Sequence, residues 1–267
     1  MSDAAAITGA APVLLETLEG GVLRLVLNRP AARNALSVGL MAALQEALAR
    51  AAADKQCRVV VIAGAGPAFC AGHDLRELRA EPSRAAYEQV FARCSALMQQ
   101  IVLLPKPVIA EVHGIATAAG CQLVATCDLA VASAPARFAT PGVNIGLFCS
   151  TPMVALSRAV GRKAAMEMLL TGDLVDAATA KALGLVNRVV PPAELGAQTL
   201  ALARQIAAKS ALTVAIGKEA FYRQAELGLA DAYRYAAEAM TTNMLARDAA
   251  EGIDAFLEKR PPVWRDA

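Results

Sequence analysis

Residues 59–75 read Val-Val-Val-Ile-Ala-Gly-Ala-Gly-Pro-Ala-Phe-Cys-Ala-Gly-His-Asp-Leu. The first four are apolar with no alternation, the pattern of a strand covered on both faces, as in a parallel sheet flanked by helices. The glycine- and proline-rich stretch that follows ends the strand, and a helical stretch begins soon after Leu75. Toward the N-terminus, residues 13–27 form two extended segments around Gly20-Gly21, with Leu23, Leu25 and Leu27 alternating against Arg24 as in a half-buried hairpin. After Asn28-Arg29-Pro30, Ser37 is placed to cap a helix carrying Leu40, Leu44 and Leu48 on one face. Toward the C-terminus the unit recurs: a helix over 87–104, a strand over 108–112, a glycine, a helix over 118–126 and a strand over 129–132. Helices over 164–170 and 177–183, the second closed by Gly184, lead to a strand over 185–190. Such alternation predicts the α/β class. Beyond Pro191-Pro192 the strand signals stop, and helices are predicted over 193–209, 213–224, 229–243 and 248–259. The chain therefore divides into a core over 1–200 and a helical segment over 201–267, too small to bury a core alone and expected to pack on the core or on another subunit.

Composition narrows the function classes. Of 267 residues, 56% are hydrophobic and 19% charged, the net charge is +2, and runs of five or six like charges are absent, so neither a nucleic-acid face nor a lipid-surface anchor is expected. Partners should be small molecules or further copies of the chain. The opening MSDAAAITGAAP lacks a basic region followed by a long apolar stretch, which makes the cytoplasm the expected location. The apolar run near 101–109 is broken by Pro105, Lys106 and Pro107, so no membrane span is expected. Cys57, Cys70, Cys94, Cys121, Cys127 and Cys149 form no CxxC pair, which argues against a disulfide framework or a metal site.

Chemistry is concentrated in two strand-to-helix turns: Phe69-Cys70-Ala71-Gly72-His73-Asp74-Leu75, and Val112-His113-Gly114-Ile115-Ala116-Thr117-Ala118-Ala119-Gly120-Cys121-Gln122-Leu123. Small residues let a ligand approach the main chain, and free amides at a helix start suit a developing oxyanion or a phosphate. Neither GxGxxG nor GxxxxGK[ST] is present, which weighs against a nucleotide. Taken alone, each turn is more readily read as tight packing.

The order of further motifs separates these readings. AFCAGHDL (68–75), KPVIAEVHG (106–114), AGCQLVATCDLAVAS (119–133), FATPG (138–142), GRKAAMEMLLTG (161–172), AKALGLVNRVV (180–190) and EGIDAFLEKR (251–260) resemble the crotonase, or enoyl-CoA hydratase/isomerase, family over nearly the whole chain. The resemblance implies a ββα spiral core with a C-terminal helical segment that supports trimers, often paired into hexamers. It implies an acyl-coenzyme A substrate whose thioester carbonyl is held by the backbone N–H groups of His73 and Ala119, with coenzyme A as part of the substrate and no permanently bound cofactor. By the same resemblance, the main chain at Cys70 and Ala71 meets the adenine, Arg33 and Arg76 face the phosphates, and Phe256 and Lys259 of a neighbouring subunit complete the pocket. As side chains, these four read equally well as solvated residues, or as core in the case of Phe256.

Two departures bear on the reaction. The hydratase glutamates of the family fall at Gln122 and Gly142, and neither an amide nor a glycine carries a proton at neutral pH. Classical hydration is therefore expected to be very slow, and three readings stay open: a hydratase-like enzyme with altered chemistry, an acyl-CoA decarboxylase of the methylmalonyl-CoA type, which the Gly-His-Asp turn resembles, and a non-catalytic acyl-CoA binder. Residues 118–122 and 140–152 resemble a branch of the family that keeps the fold without the glutamate pair. Cys149 and Ser150 should line the acyl pocket, with no base in sequence reach to activate the thiol. His113 reads as a structural hydrogen-bonding residue, and Asp74 as a helix cap.

Overall fold

The computed structural model describes residues 11–267. The hairpin pairs β1 (Leu14–Glu19) antiparallel with β2 (Val22–Leu27), turning at Gly20 and Gly21, both at positive φ. Helix α1 (Val38–Ala53) follows, its first turn capped by Ser37, whose Oγ accepts from Leu40 N at 3.1 Å, and Leu40, Leu44 and Leu48 are fully buried. Next come β3 (Val59–Gly64), β4 (Ala68–Cys70), α2 (Leu75–Ala80) and α3 (Arg84–Leu103), then β5 (Val108–Val112), β6 (Ile115–Thr117) and α4 (Ala119–Thr126). The following turn holds β7 (Leu129–Ser133), β8 (Arg137–Ala139), α5 (Pro152–Ala159) and α6 (Arg162–Thr171). Short β9 (Val175–Asp176), α7 (Ala177–Leu183) and β10 (Arg188–Val190) lead into α8 (Leu195–Ala207), α9 (Ala211–Gln224), α10 (Leu229–Met244) and α11 (Arg247–Glu258).

Strands β3, β5 and β7 are each followed by a short strand that joins a second layer. The six-stranded sheet runs β1-β2-β3-β5-β7-β10, and the four-stranded sheet runs β4-β6-β8-β9. The unbroken apolar run of β3 is explained by what lies on its two faces. Val60 and Ile62 face the main core with Leu40, Leu44, Leu97 and Ile101 from α1 and α3. Val59 and Val61 join Ile109, Val131, Leu195 and Leu202 beneath α8. The reading of β3 as doubly covered therefore holds, and its second cover comes from a helix more than 130 residues later.

Several sequence boundaries shift. Residue 200, the expected edge of the core, lies inside α8, which packs on β2, β3, β5 and β7. The helices that pack chiefly on one another begin at α9. The strand expected over 185–190 pairs only over Arg188–Val190, alongside β7. The second sheet went unread because its strands are two or three residues long, too short for a periodicity.

A buried ion pair fastens the helical segment to the core. Lys218 on α9 donates to Asp128 at 2.7 Å and to the carbonyls of Ile101 and Lys106 at 2.9 and 3.0 Å, while the Tyr222 hydroxyl donates to Asp128 at 2.8 Å. Burial lowers the Lys218 pKa and Asp128 opposes that shift. Removing one partner of such a pair leaves the other charge desolvated, at a cost of roughly 3 kcal/mol. Lys218→Ala is expected to lower the unfolding free energy by about that amount in urea titrations; a loss under about 0.5 kcal/mol, the scale of an exposed pair, would show the bridge to be incidental.

Candidate active site

Parallel pairing of β4 with β6 sends the two glycine-flanked turns out of the small sheet side by side. Their approach is limited by backbone contact. A Cβ on Gly72 would lie 2.9 Å from Ala118 Cβ, 3.1 Å from Thr117 O and 3.4 Å from Ala119 N, and Gly72 holds φ +97°. A Cβ on Gly120 would lie 2.1 Å from Cys70 O. Only glycine fits at either position, so the first turn is seated directly on the start of α4. Ala118, between them, adopts φ 49° and ψ −118°, a conformation costly for a residue with a Cβ and typical of functional sites.

The two expected donors are left free by this arrangement. His73 forms a parallel bridge with Leu36 in which Leu36 N donates to Gly72 O at 2.7 Å and Asp74 N donates to Leu36 O at 3.3 Å. That pattern engages the amide after His73 and leaves the N–H of His73 itself without an acceptor among the described residues. Ala119 is the first residue of α4, so its N–H has no intrahelical acceptor, and none is supplied by another described residue.

A polar hub unread in the sequence fixes the first turn. Asn34 is fully buried, its Nδ2 donating to Ala65 O and Ala68 O, both at 2.8 Å, and its Oδ1 accepting from Arg29 N at 2.9 Å. The Arg29 guanidinium donates to Ala35 O at 2.6 Å and to Asp74 at 2.8 Å. Asp74 accepts from Arg76 N at 3.1 Å, the capping role expected of it. Burial pushes the Asp74 pKa up, but Arg29 and the α2 amides outweigh this and hold the carboxyl below its usual range.

The remaining expected residues fall into separate groups. Ala71 N donates to Arg33 O at 3.0 Å, which brings Arg33 beside the Cys70–Ala71 main chain, and the Arg33 and Arg76 side chains are exposed. The Cys70 thiol is wholly buried and burial pushes its pKa up to about 12, leaving only its backbone available. Phe256 is 82% exposed on α11, which packs on α9 and α10. Lys259 is the left-handed cap of that helix and is exposed too. Within one chain, both face outward.

Gln122, 3% exposed and one turn into α4, accepts a long contact of 3.9 Å from the Cys94 thiol. At Gly142 a Cβ would lie 2.6 Å from Leu147 O and 2.9 Å from Cys149 Sγ. The space beside Gly142, where the resemblance leads one to expect a glutamate, is therefore filled by the returning loop. Burial raises the Cys149 pKa, opposed by the nearby Gly142 amide, so the sulfur stays a thiol at neutral pH. Ser150 is exposed, its Oγ 3.4 Å from Phe148 O. His113 donates from Nε2 to Gly66 O at 2.8 Å, a structural tie as expected. The His73 ring packs edge-on against Phe91 with centroids 5.5 Å apart, and neither buried ring nitrogen has a hydrogen-bond partner among the described residues. Burial lowers its pKa; the Leu36 carbonyl nearby opposes the shift but lies outside hydrogen-bond geometry. Helices α2 and α3, which flank this ring, also border a cavity of about 770 Å³ lined by Val38, Glu77, Leu78, Tyr87, Val90 and Arg93.

Comparison with known proteins shows the family. The enoyl-CoA hydratase/isomerase family model matches residues 17–267. The mitochondrial enoyl-CoA hydratase domain-containing protein 3 of Xenopus laevis is 49% identical over 95% of the chain and 86% of its own length. Its Homo sapiens counterpart is 50% identical over 91% of the chain and 80% of its own length. A crystal structure of enoyl-CoA hydratase from Mycobacterium smegmatis superposes with a TM-score of 0.93 at 58% identity, covering 95% of this chain and 99% of that one. The expected cytoplasmic location is overturned by these comparisons, since both animal relatives are mitochondrial proteins by name.

The crowding at Gly142 has a measurable consequence. Gly142→Glu combined with Gln122→Glu is expected to lower stability by roughly 1–3 kcal/mol, the scale of an overpacked core, and to leave crotonyl-CoA hydration at the wild-type rate. A gain of a hundredfold or more in that hydration would show that the loop yields and that the pocket is an ordinary hydratase lacking only its side chains.

Proposed function

The chain belongs to the enoyl-CoA hydratase/isomerase family, and from that membership we propose that it binds an acyl-coenzyme A thioester and polarises the carbonyl between the N–H groups of His73 and Ala119. The observation that carries this reading is the seating of the two turns on one another through Gly72 and Gly120, with the two amides left without acceptors among the described residues. Donors fixed before the reaction stabilise negative charge on the thioester oxygen without reorganising, and each is typically worth about 3 kcal/mol of barrier.

The chemistry such a site supports is enolate stabilisation. Hydration also needs a group to activate water and another to return a proton, and Gln122 and Gly142 offer neither. Loss of carbon dioxide from a carboxylated acyl group needs only the electron sink: the breaking C–C bond supplies the pair that becomes the enolate, and water protonates it. The intact amides beside two positions without a titratable group favour this as the second reading. Coenzyme A would lie along Cys70 and Ala71, with Arg33 and Arg76 toward its phosphates. Phe256 and Lys259 would come from a neighbouring copy, because α9–α11 leave Phe221, Leu229, Leu245 and Phe256 exposed, an apolar surface that self-association would cover.

Isothermal titration with acetyl-, butyryl- and malonyl-CoA is expected to give saturable binding by a particle three or six times the 27.7 kDa chain mass. Crotonyl-CoA should turn over at least a hundredfold more slowly than with a glutamate-bearing hydratase assayed alongside. A monomer that binds no acyl-CoA overturns the proposal.

A further inference from the structure

Helix α11 carries Phe256 and Lys259, yet little of its own packing fixes it. Only Asp248 and Ala255 of its residues are buried, while Ile253, Phe256 and Leu257 are exposed. Its hold comes from residues 260–266, which run back along it as a strap. Asp248, in the first turn, accepts from Arg265 N at 2.8 Å and from Asp266 N at 3.0 Å. Asp266 in turn accepts from Ala211 N at 2.8 Å, at the start of α9, and pairs with the Arg58 guanidinium. Arg58 also donates to Lys209 O at 2.7 Å, and its own N–H donates to Gly21 O at 2.7 Å, so these contacts end on the hairpin of the large sheet. Trp264 Nε1 donates to Ala208 O at 2.9 Å, and its ring lies on α11 at Gly252, where a Cβ would come within 3.2 Å of it. At the far end, Lys259 sits at φ 55°, a costly conformation for a lysine. The next residue, Arg260, closes that end by donating to both oxygens of Glu251 at 2.6 and 2.9 Å.

We propose that this strap, with Asp248 and Asp266 at its centre, positions Phe256 and Lys259 for the coenzyme A pocket of a neighbouring subunit. Asp248 and Asp266 are positioning residues that act through the orientation of α11. Apolar burial is non-directional and would let a helix slide on its support, whereas charge-assisted hydrogen bonds fix angle as well as distance. Groups that complete a binding site must be held to within roughly 0.5 Å, and a helix that presents its apolar side chains outward has no core of its own to supply that precision. The strap ties both ends of α11, so the side chains it delivers keep a fixed relation to the core of their own subunit.

This inference rests on the acyl-CoA reading, and a double-mutant cycle separates the two. Butyryl-CoA is titrated into wild type, Asp266→Ala, the pair Phe256→Ala with Lys259→Ala, and the combination of all three, with the particle mass of each recorded. Asp266→Ala is expected to weaken binding about tenfold in the wild-type background and less than about twofold where Phe256 and Lys259 are already truncated, at unchanged particle mass. A merely structural role would weaken binding alike in both backgrounds. If Asp266→Ala does not fold, Trp264→Phe, which loses the bond to Ala208 and keeps a ring at Gly252, supplies the same comparison. Equal weakening in both backgrounds, no weakening in either, dissociation of the particle, or a Phe256 and Lys259 variant that binds like wild type each rejects the inference and leaves the acyl-CoA reading intact. Failure of butyryl-CoA to bind wild type rejects both.

Discussion

The carbonyl of Cys70 rests on the backbone of α4 at Gly120, close enough that a Cβ there would lie 2.1 Å from the oxygen. This contact, with its counterpart between Gly72 and Ala118, sets how near two helix-bound turns can come. The rest of the molecule holds it in place. Pairing of β4 with β6 aligns the turns, and Asn34 ties the end of β3 at Ala65 to the start of β4 at Ala68. Ala118 is held in a strained backbone conformation at the junction, a cost accepted where geometry matters more than stability.

What results is a site built from fixed dipoles and neutral side chains. The thiols of Cys70, Cys94 and Cys121 are pushed up to about 12 by burial, and the Cys149 thiol is raised as well. Gln122 cannot carry a proton, and the loop through Leu147 and Cys149 occupies the ground beside Gly142. On the function proposed above, such a pocket would stabilise charge on a carbonyl oxygen and leave proton transfers to water or to the substrate.

Much of this was legible in the sequence, and the part that was not has a common physical cause. The apolar run of Val59–Ile62, the Ser37 cap and the Gly184 terminus are local signals, and each is realised as read. Family resemblance pointed to His73, Ala119, Gln122 and Gly142, and the proposed function rests on them. Asn34 bonding to Ala65 and Ala68, Cys149 filling the space behind Gly142, and the unpartnered ring of His73 were invisible because each depends on which segments meet in space. The edge of the core was misplaced for a related reason: α8 has the periodicity of any amphipathic helix, and only its packing on the outer face of the sheet assigns it to the core.

The most direct measurement is the infrared stretch of an acyl-CoA labelled with carbon-13 at the thioester carbonyl, recorded free and bound. Two amide donors at the oxygen should shift the bound carbonyl to lower frequency, and Ala119→Pro, which removes one donor, should lose most of that shift while the circular dichroism stays that of the wild type. A carbonyl that absorbs at its aqueous frequency under saturating protein would contradict the account, because the thioester would then lie outside the two turns.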